Sequence, residues 1–251
     1  MTLWRTKMDL PALGANELHV WRASLAALRP CEHAWGALLD ASERERGARF
    51  YFDTDRVRHT ISHGLLRRLL GHYTDTPPET LRFAAGEYGK PHLANHDEGR
   101  VVFNLSHSGD VVLLAFARSC NVGVDVECWT DRIDALEMER MAQSVFSLHE
   151  RTALSQLESS ARRTAFYSIW SRKEAYIKAT GLGVSRGLDH FDVSAAPDEA
   201  HLLADRSADA RAEMWALHDL ELDPGYSAAL AVDRADTKVV ALNATLSMVS
   251  C

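Results

Sequence analysis

The fold is decided by one stretch, Ile169-Trp170-Ser171-Arg172-Lys173-Glu174-Ala175-Tyr176-Ile177-Lys178-Ala179-Thr180-Gly181-Leu182-Gly183. Its apolar residues and its two closing glycines predict the end of a helix. Trp170, Glu174 and Lys178 stand at i, i+4 and i+8, which puts a ring, a carboxylate and an ammonium along one helical face. Taken alone, this spacing favours an exposed Glu–Lys pair above a core tryptophan, because such pairs are common on helix surfaces.

The composition is that of an ordinary soluble protein, with 251 residues, 46% of them hydrophobic and 25% charged. This length predicts one large domain or two small ones. A formal net charge of -7 argues against a protein that binds nucleic acid through an overall basic surface. Arginines nevertheless outnumber acidic residues between Arg44 and Arg68. That cluster fits a solvated helix surface and a phosphate-binding site equally well.

The amino terminus and the cysteines both predict a cytoplasmic protein. No early apolar stretch has the form of a signal peptide, and no apolar run reaches membrane-spanning length. Cys31, Cys120, Cys128 and Cys251 form no C-x-x-C pair, which argues against a zinc ribbon or a redox motif. We therefore expect reduced thiols, and neither a membrane nor a nucleic acid as a partner.

Hydrophobic periodicity predicts a mixture of helices and short strands. Besides the helix that ends at residue 181, the pattern is helical at 31–51, where Ser42 is a candidate N-cap for residues 43–50. Further helices are predicted at 55–73, 133–142 and 147–157. Strands are predicted at 17–23, 101–105, 111–117, 122–127, 190–193, 214–222, 226–232 and 238–244.

The two halves of the chain resemble each other in this pattern. Each contains a long helix, a loop punctuated by glycine, and antiparallel strands. We therefore predict an α+β fold made of two similar subdomains, each a small, mainly antiparallel sheet packed on a long helix. The boundary falls near residue 120, so that residues 1–120 and 121–251 form the two subdomains.

Two carboxylates on the strand at 122–127 predict a metal site. Asp125 and Glu127 lie on the same strand face because side-chain direction repeats every two residues. Neighbouring carboxylates repel each other unless a cation joins them, and a hard cation such as Mg²⁺ prefers oxygen ligands. Glu174 would supply a third carboxylate. An isolated Asp-x-Glu is more often the solvated face of a strand.

Five motifs in this order resemble the 4′-phosphopantetheinyl transferases of the long, Sfp-type class. They are Gly89-Lys90-Pro91, Phe103-Asn104-Leu105-Ser106-His107-Ser108-Gly109, Gly123-Val124-Asp125-Val126-Glu127, Phe146-Ser147-Leu148-His149-Glu150 and Trp170-Ser171-Arg172-Lys173-Glu174-Ala175. The resemblance covers most of the chain, from about residue 44 to residue 232.

The resemblance implies a Mg²⁺-dependent enzyme, with Mn²⁺ as an alternative ion. It would transfer the 4′-phosphopantetheine arm of coenzyme A to a serine of an apo acyl or peptidyl carrier protein and release 3′,5′-ADP. It also implies a monomer built as a pseudo-dimer, with coenzyme A in the cleft between the subdomains. Fatty-acid, polyketide and nonribosomal peptide carriers remain open as substrates.

The resemblance further assigns roles to individual residues. Asp125, Glu127 and Glu174 would bind the metal, and Asp125, Glu174 and Lys178 would be the catalytic residues. Glu174 would take the proton of the carrier serine, directly or through a water molecule, and Lys178 would meet the charge on the leaving phosphate. Whether Glu127 binds the metal directly or through water is left open. Residues at positions that contact coenzyme A are Arg46, Arg58, Lys90, Pro91, Asn104, Ser106, His107 and Lys178.

Four positions of the predicted coenzyme A site carry a more specific expectation. Arg58 matches the arginine that binds the 3′-phosphate of the nucleotide. Arg46 stands where relatives often have lysine, and Glu43 stands where some have lysine, which leaves that part of the phosphate site open. Two glycines and a proline around Lys90 predict a tight loop that directs its ammonium outward.

Two other functions fit the same residues. A Mg²⁺-dependent hydrolase of coenzyme A or of a nucleotide pyrophosphate would need the same carboxylates, with water in place of the serine. A coenzyme A-binding module without activity would not need the three acidic residues, and all three are present.

Overall fold

The structure is a computed structural model, which describes residues 2–94, 101–129, 133–183, 187–196, 199–207 and 212–249. Its α-helices are α1 (Leu25–Leu28), α2 (Glu32–Leu38), α3 (Ala41–Ala48), α4 (Asp53–Thr74), α5 (Ala135–Val145), α6 (Leu148–Ser155), α7 (Ser159–Thr180) and α8 (Leu246–Val249). Its strands are β1 (Glu17–Ser24), β2 (Phe83–Ala85), β3 (Pro91–Leu93), β4 (Val101–Ser108), β5 (Val111–Arg118), β6 (Val122–Cys128), β7 (Phe191–Val193), β8 (Leu202–Asp205), β9 (Ala216–Asp219), β10 (Tyr226–Val232) and β11 (Lys238–Asn243).

Contacts divide the chain into two compact units. The α4 unit comprises Leu3–Ala85, Pro91–Ser119 and Lys238–Cys251. The α7 unit comprises Met1–Thr2, Gly86–Lys90 and Cys120–Thr237. These bounds differ from a single cut at residue 120, because β11 pairs in parallel with β1 at the other end of the chain. The division into functional subdomains 1–120 and 121–251 stays a prediction.

The α4 unit is built on a four-stranded sheet with the order β11-β1-β5-β4. β5 pairs antiparallel with both β1 and β4, and Gly109 forms the β4–β5 turn with a φ of 56°. The helix α4 covers this sheet with a stripe of fully buried residues that includes Ile61, Leu65 and Leu69. That stripe is the one that helical periodicity predicts.

The α7 unit is built on a three-stranded antiparallel sheet with the order β6-β10-β9. The helix α7 packs on β6 at Gly123, where an added Cβ would lie 2.1 Å from the carbonyl oxygen of Ala175. Only glycine allows such an approach of two backbones. This contact sets the distance between the strand that carries Asp125 and the helix that carries Glu174.

Two charged residues in the middle of α7 are buried in this unit. Lys173 donates from Nζ to Glu150 Oε1 at 2.6 Å and to the carbonyl oxygen of Phe191 at 2.8 Å. Arg172 donates from Nε to Asp219 Oδ1 at 2.8 Å. Buried charges are tolerated only when they are paired and hydrogen-bonded in this way.

The structure confirms the α+β class and corrects several local predictions. The helical pattern at 31–51 corresponds to α2 and α3, and Asp40 rather than the predicted Ser42 is the N-cap of α3. The strand predicted at 214–222 is reduced to β9 after a short 3₁₀ turn. Cys31 is disulfide-bonded, so the prediction of reduced thiols is wrong for this residue, whereas Cys120 and Cys128 are thiols. Within the described ranges, no helix is both long and apolar enough to cross a lipid bilayer.

Candidate active site

Three predicted carboxylates belong to one electrostatic cluster in the α7 unit. Asp125 and Glu127 come from β6, opposite Ala229 and Ser227 of β10, and Glu174 comes from α7. Asp125 is only 2% exposed, while Glu127 and Glu174 are half-buried. The negative charge of Asp125 acts on both glutamates, and that of Glu174 acts on Glu127. The structure therefore places the three predicted acidic residues within electrostatic reach of one another.

The ammonium of Lys178 lies within this cluster. Its Nζ donates to Asp125 Oδ1 at 2.5 Å, and its side chain is 28% exposed. The helical spacing taken alone favours an exposed pair between Glu174 and Lys178. The structure instead directs Lys178 to the strand, because α7 presents this face to β6. The interpretation as a solvated surface pair is therefore wrong.

Trp170 contacts the same cluster from one turn earlier in α7. Its Nε1 donates to Glu127 Oε1 at 3.2 Å, and its ring stacks on Phe166 with centroids 6.1 Å apart. The indole is therefore more than a core residue, because its polar atom binds a carboxylate of the site.

The pKa values of both glutamates are raised. For Glu127, burial is the largest cause and the charge of Asp125 the second, and together they raise its pKa to about 7. Burial and then Asp125 also raise the pKa of Glu174, while the ammonium of Lys178 opposes the shift. The ammonium of Lys178 neutralises only one of the three carboxylates in the cluster. A bound cation would neutralise more of this charge.

The fit of a metal ion rests on the chemistry of these donors. Within the residues that the structure describes, no three His, Cys, Asp or Glu side chains stand close enough together to hold an ion. The donors of the cluster are nevertheless all carboxylate oxygens, the ligands that Mg²⁺ and Mn²⁺ prefer. Burial first, and the charge of Asp125 second, raise the pKa values of both glutamates, and a divalent cation would favour their charged forms.

Arg58, predicted to bind a phosphate, lies beside the β4–β5 turn of the α4 unit. It donates from Nη1 to Asp55 Oδ1 at 2.7 Å and from Nη2 to the carbonyl oxygen of Gly109 at 3.3 Å. It lines a cavity of about 210 Å³ together with Arg29 and Asp110. The structure thus places this guanidinium close to the turn that directly follows Ser106, His107 and Ser108.

The other residues predicted to contact coenzyme A in the α4 unit differ in exposure. Asn104 and Ser106 are buried in β4, whereas His107 is exposed and points to the opposite strand face. Arg46 is exposed in the last turn of α3, and Pro91 is the exposed first residue of β3.

Glu43 has a structural role in the α4 unit. It is buried, it forms a capping box with Asp40 at the start of α3, and it accepts a bond from Arg67 Nε at 2.7 Å. His63 Nδ1 lies 2.9 Å from its other carboxylate oxygen. Burial and these bonds give Glu43 a structural role at the start of α3.

The side chain of Lys90, a predicted ligand of coenzyme A, does not point away from the protein. Its Nζ donates to the carbonyl oxygens of Val122 at 3.0 Å and Ala179 at 2.8 Å. The prediction of an ammonium directed outward is therefore wrong.

Sequence reasoning assigned no role to the buried pair Lys173–Glu150, although both residues belong to the quoted motifs. The spacing of Ser147 and Glu150 predicts a capping box, which the structure confirms at the start of α6. That spacing predicts only the bonds at the start of α6. The pairing of Glu150 with Lys173 on α7 is a tertiary contact, which the spacing does not predict.

Comparisons with known proteins identify two matching family models and several relatives. Residues 121–231 match the family described as 4′-phosphopantetheinyl transferase superfamily, and residues 26–119 match the family described as 4′-phosphopantetheinyl transferase, N-terminal. The chain is 32% identical over 230 residues to 4′-phosphopantetheinyl transferase HetI of Nostoc sp., which covers 91% of this chain and 93% of that protein. It is 30% identical over 200 residues to 4′-phosphopantetheinyl transferase Sfp of Bacillus subtilis, with 80% and 84% covered. A phosphopantetheinyl transferase of Thraustochytrium sp. is 27% identical over 227 residues, with 86% and 78% covered.

Proposed function

Since the chain belongs to the 4′-phosphopantetheinyl transferase family, and so transfers the phosphopantetheine moiety of coenzyme A to a carrier protein, we propose that the carboxylate cluster of the α7 unit is its catalytic site. The observation that supports this proposal is that the charge of Asp125 acts on both Glu127 and Glu174, and that Lys178 Nζ donates to Asp125. Attack on a pyrophosphate needs cations that neutralise the phosphate oxygens. It also needs a base that activates the attacking hydroxyl group.

Glu174 is the residue that we propose as the base. A serine hydroxyl is a weak nucleophile, and a neighbouring carboxylate activates it by taking its proton. Burial and Asp125 raise the pKa of Glu174 above the ordinary value, which makes it a stronger base than an exposed glutamate. The proton passes from the serine to Glu174 directly or through one water molecule.

The transfer itself breaks one phosphorus–oxygen bond and forms another. The serine oxygen attacks the phosphorus that carries the pantetheine arm, and 3′,5′-ADP leaves with the bridging oxygen. Lys178 donates to the oxygens on which negative charge develops. Its ammonium is a compact charge on a flexible stem, and it already lies at Asp125.

Asp125, Glu127 and Glu174 would hold Mg²⁺, with Mn²⁺ as an alternative. When bound, the ion neutralises the charge of the pyrophosphate. Trp170 orients Glu127 by its hydrogen bond.

We further propose ligands for coenzyme A. Arg58 supports this best, because its Nε is buried without a hydrogen-bond partner in the described part of the chain, and a guanidinium with an unused donor suits a phosphate. The further proposed ligands are Arg46, Pro91, Asn104, Ser106, His107 and Lys178.

The plan of each unit supports the proposal of a pseudo-dimer of similar subdomains. In each, a 22-residue helix packs on antiparallel strands: α4 on the sheet that contains β4 and β5, and α7 on the sheet that contains β6 and β10. A monomer that works in the cytoplasm remains a proposal from the sequence.

The experiment that tests the function is incubation with coenzyme A, Mg²⁺ and a panel of apo carrier proteins, read by intact mass. We expect one carrier or more to gain the mass of one phosphopantetheine arm, with an equal amount of 3′,5′-ADP released. Consumption of coenzyme A without any modified carrier would instead indicate the hydrolase. Addition of EDTA, followed by excess Mg²⁺, tests the metal, and transfer that EDTA leaves unchanged would exclude it.

A further inference from the structure

The ammonium of Lys90 is bound by two elements that carry the catalytic carboxylates. One acceptor, the carbonyl oxygen of Val122, belongs to the first residue of β6, and the other, that of Ala179, belongs to the last turn of α7. Two of the three N–H groups of the ammonium are thereby used. Hydrogen bonds donated by a charged group are stronger than those between neutral groups.

The end of α7 is a favourable place for this charge. The last carbonyl groups of a helix lack partners within the helix and carry the negative end of its dipole. At this end Gly181 closes the helix with a φ of 72°, and its N–H donates to the carbonyl oxygen of Ile177. Lys90 satisfies the carbonyl of Ala179 from outside the helix.

The loop that carries Lys90 holds the side chain in place. The N–H of Gly86 donates to the carbonyl oxygen of Lys90 at 2.9 Å, which closes the loop at its base. The aliphatic stem of Lys90 lies against Gly181, where an added Cβ would be 3.2 Å from Lys90 Cδ. Both the backbone and the stem of Lys90 are thus fixed.

We propose that Lys90 is a positioning residue, and not a phosphate ligand, in the reaction proposed above. Its ammonium joins the start of β6 to the end of α7, and so it holds Asp125 in line with Glu174 and Lys178. The two lysines have different roles. Lys178 donates to the carboxylate cluster, whereas Lys90 binds the backbones of β6 and α7, which carry the carboxylates.

The variant Lys90→Met tests this role, because it keeps the stem against Gly181 and removes the donors. Lys238→Met is the matched control, since it also removes one lysine charge, from an ion pair with Glu17 on a side chain that is 70% exposed. Lys90→Arg restores donors and should rescue part of the loss. It also keeps the test informative if Lys90→Met fails to fold.

Two quantities distinguish a positioning residue from a phosphate ligand. Well below the melting temperature, we expect Lys90→Met to lower kcat at least roughly tenfold, because a small misplacement of catalytic groups is costly. The Kd for coenzyme A, measured by calorimetry, should stay within about twofold of wild type, a change of less than 1 kcal/mol. We expect the Lys238→Met control to change neither quantity.

Two results would overturn the proposal. A Kd that rises with kcat unchanged would make Lys90 a phosphate ligand. A lower melting temperature with wild-type kcat and Kd would reduce it to structural support. Binding of coenzyme A by the wild-type chain tests the proposed function separately, because that measurement does not depend on Lys90.

Discussion

Replacement of Lys173 by methionine should destabilise the α7 unit strongly. Lys173 and Glu150 are 1% and 0% exposed in their side chains, and their contact is 2.6 Å long. Methionine keeps the volume of the stem but removes the charge, which leaves the Glu150 carboxylate buried without its cation. The carbonyl oxygen of Phe191 loses a donor as well.

The size of the effect follows from what remains around Glu150. Removing one partner of a buried ion pair costs about 3–5 kcal/mol. Glu150 keeps two N–H donors, from Ser147 at 2.9 Å and from Val193 at 2.8 Å, which offset part of the loss. We therefore expect the lower end, about 3 kcal/mol. In a chain of this size that corresponds to a fall in Tm of roughly 6–12 °C.

The assay is thermal unfolding followed by calorimetry and by circular dichroism. The double variant Lys173→Met/Glu150→Gln should recover part of the loss, since it removes the unpaired charge. Arg49→Met is the control, because the pair Arg49–Glu45 is 74% and 69% exposed and contributes little.

Two results would refute this reasoning. A fall in Tm no larger than that of Arg49→Met would show that the buried pair contributes no more than a surface pair. A double variant that is no more stable than Lys173→Met would show that the unpaired carboxylate is not the cause of the loss.

Three further predictions concern the site. Glu174→Gln should lower kcat by roughly 10²–10⁴-fold with an unchanged Tm, and a wild-type rate would remove Glu174 from the mechanism. Arg58→Ala should raise the KM for coenzyme A roughly tenfold, and that for dephospho-coenzyme A much less, because a charged hydrogen bond to the 3′-phosphate is lost. Equal effects on both substrates would contradict that contact. In EDTA, Tm should fall as the pH rises from the ordinary pKa of a glutamate toward 7, because Glu127, with a pKa raised to about 7, holds its proton more tightly in the folded state than in the unfolded state. Glu127→Gln should reduce this fall and excess Mg²⁺ should remove it, and a Tm that rises over the same range would contradict the raised pKa.

Much of the fold could be predicted from local patterns. The periodicity of apolar residues predicted α4, β6 and the end of α7, because burial of one face repeats every 3.6 residues in a helix and every two in a strand. The same spacing placed Asp125 and Glu127 on one strand face. Exact helix boundaries were less visible, because the sequence favoured Ser42 as the N-cap of the second helix at 31–51, whereas Asp40 is the N-cap of α3.

The choice of ionic partners could not be predicted in this way. Lys178 binds Asp125, 53 positions away, although Glu174 stands one turn before it on the same helix. Lys90 binds carbonyl groups 32 and 89 positions away, and Lys173 is buried although its neighbour Glu174 is half-buried. Spacing along one element says which residues share a face, but not which distant segment covers that face.

The sequence by itself determined the helical face of Trp170, Glu174 and Lys178, the acidic face of β6, and the order of the motifs that identify the family. Tertiary structure decided which charged side chains face the site and which are buried in ion pairs. It also decided that β11, near the end of the chain, pairs with β1 in one sheet. The physical reason is that periodicity is a short-range property of the backbone. Burial and charge pairing depend instead on contacts between segments far apart in the chain, whose free energy no local pattern records.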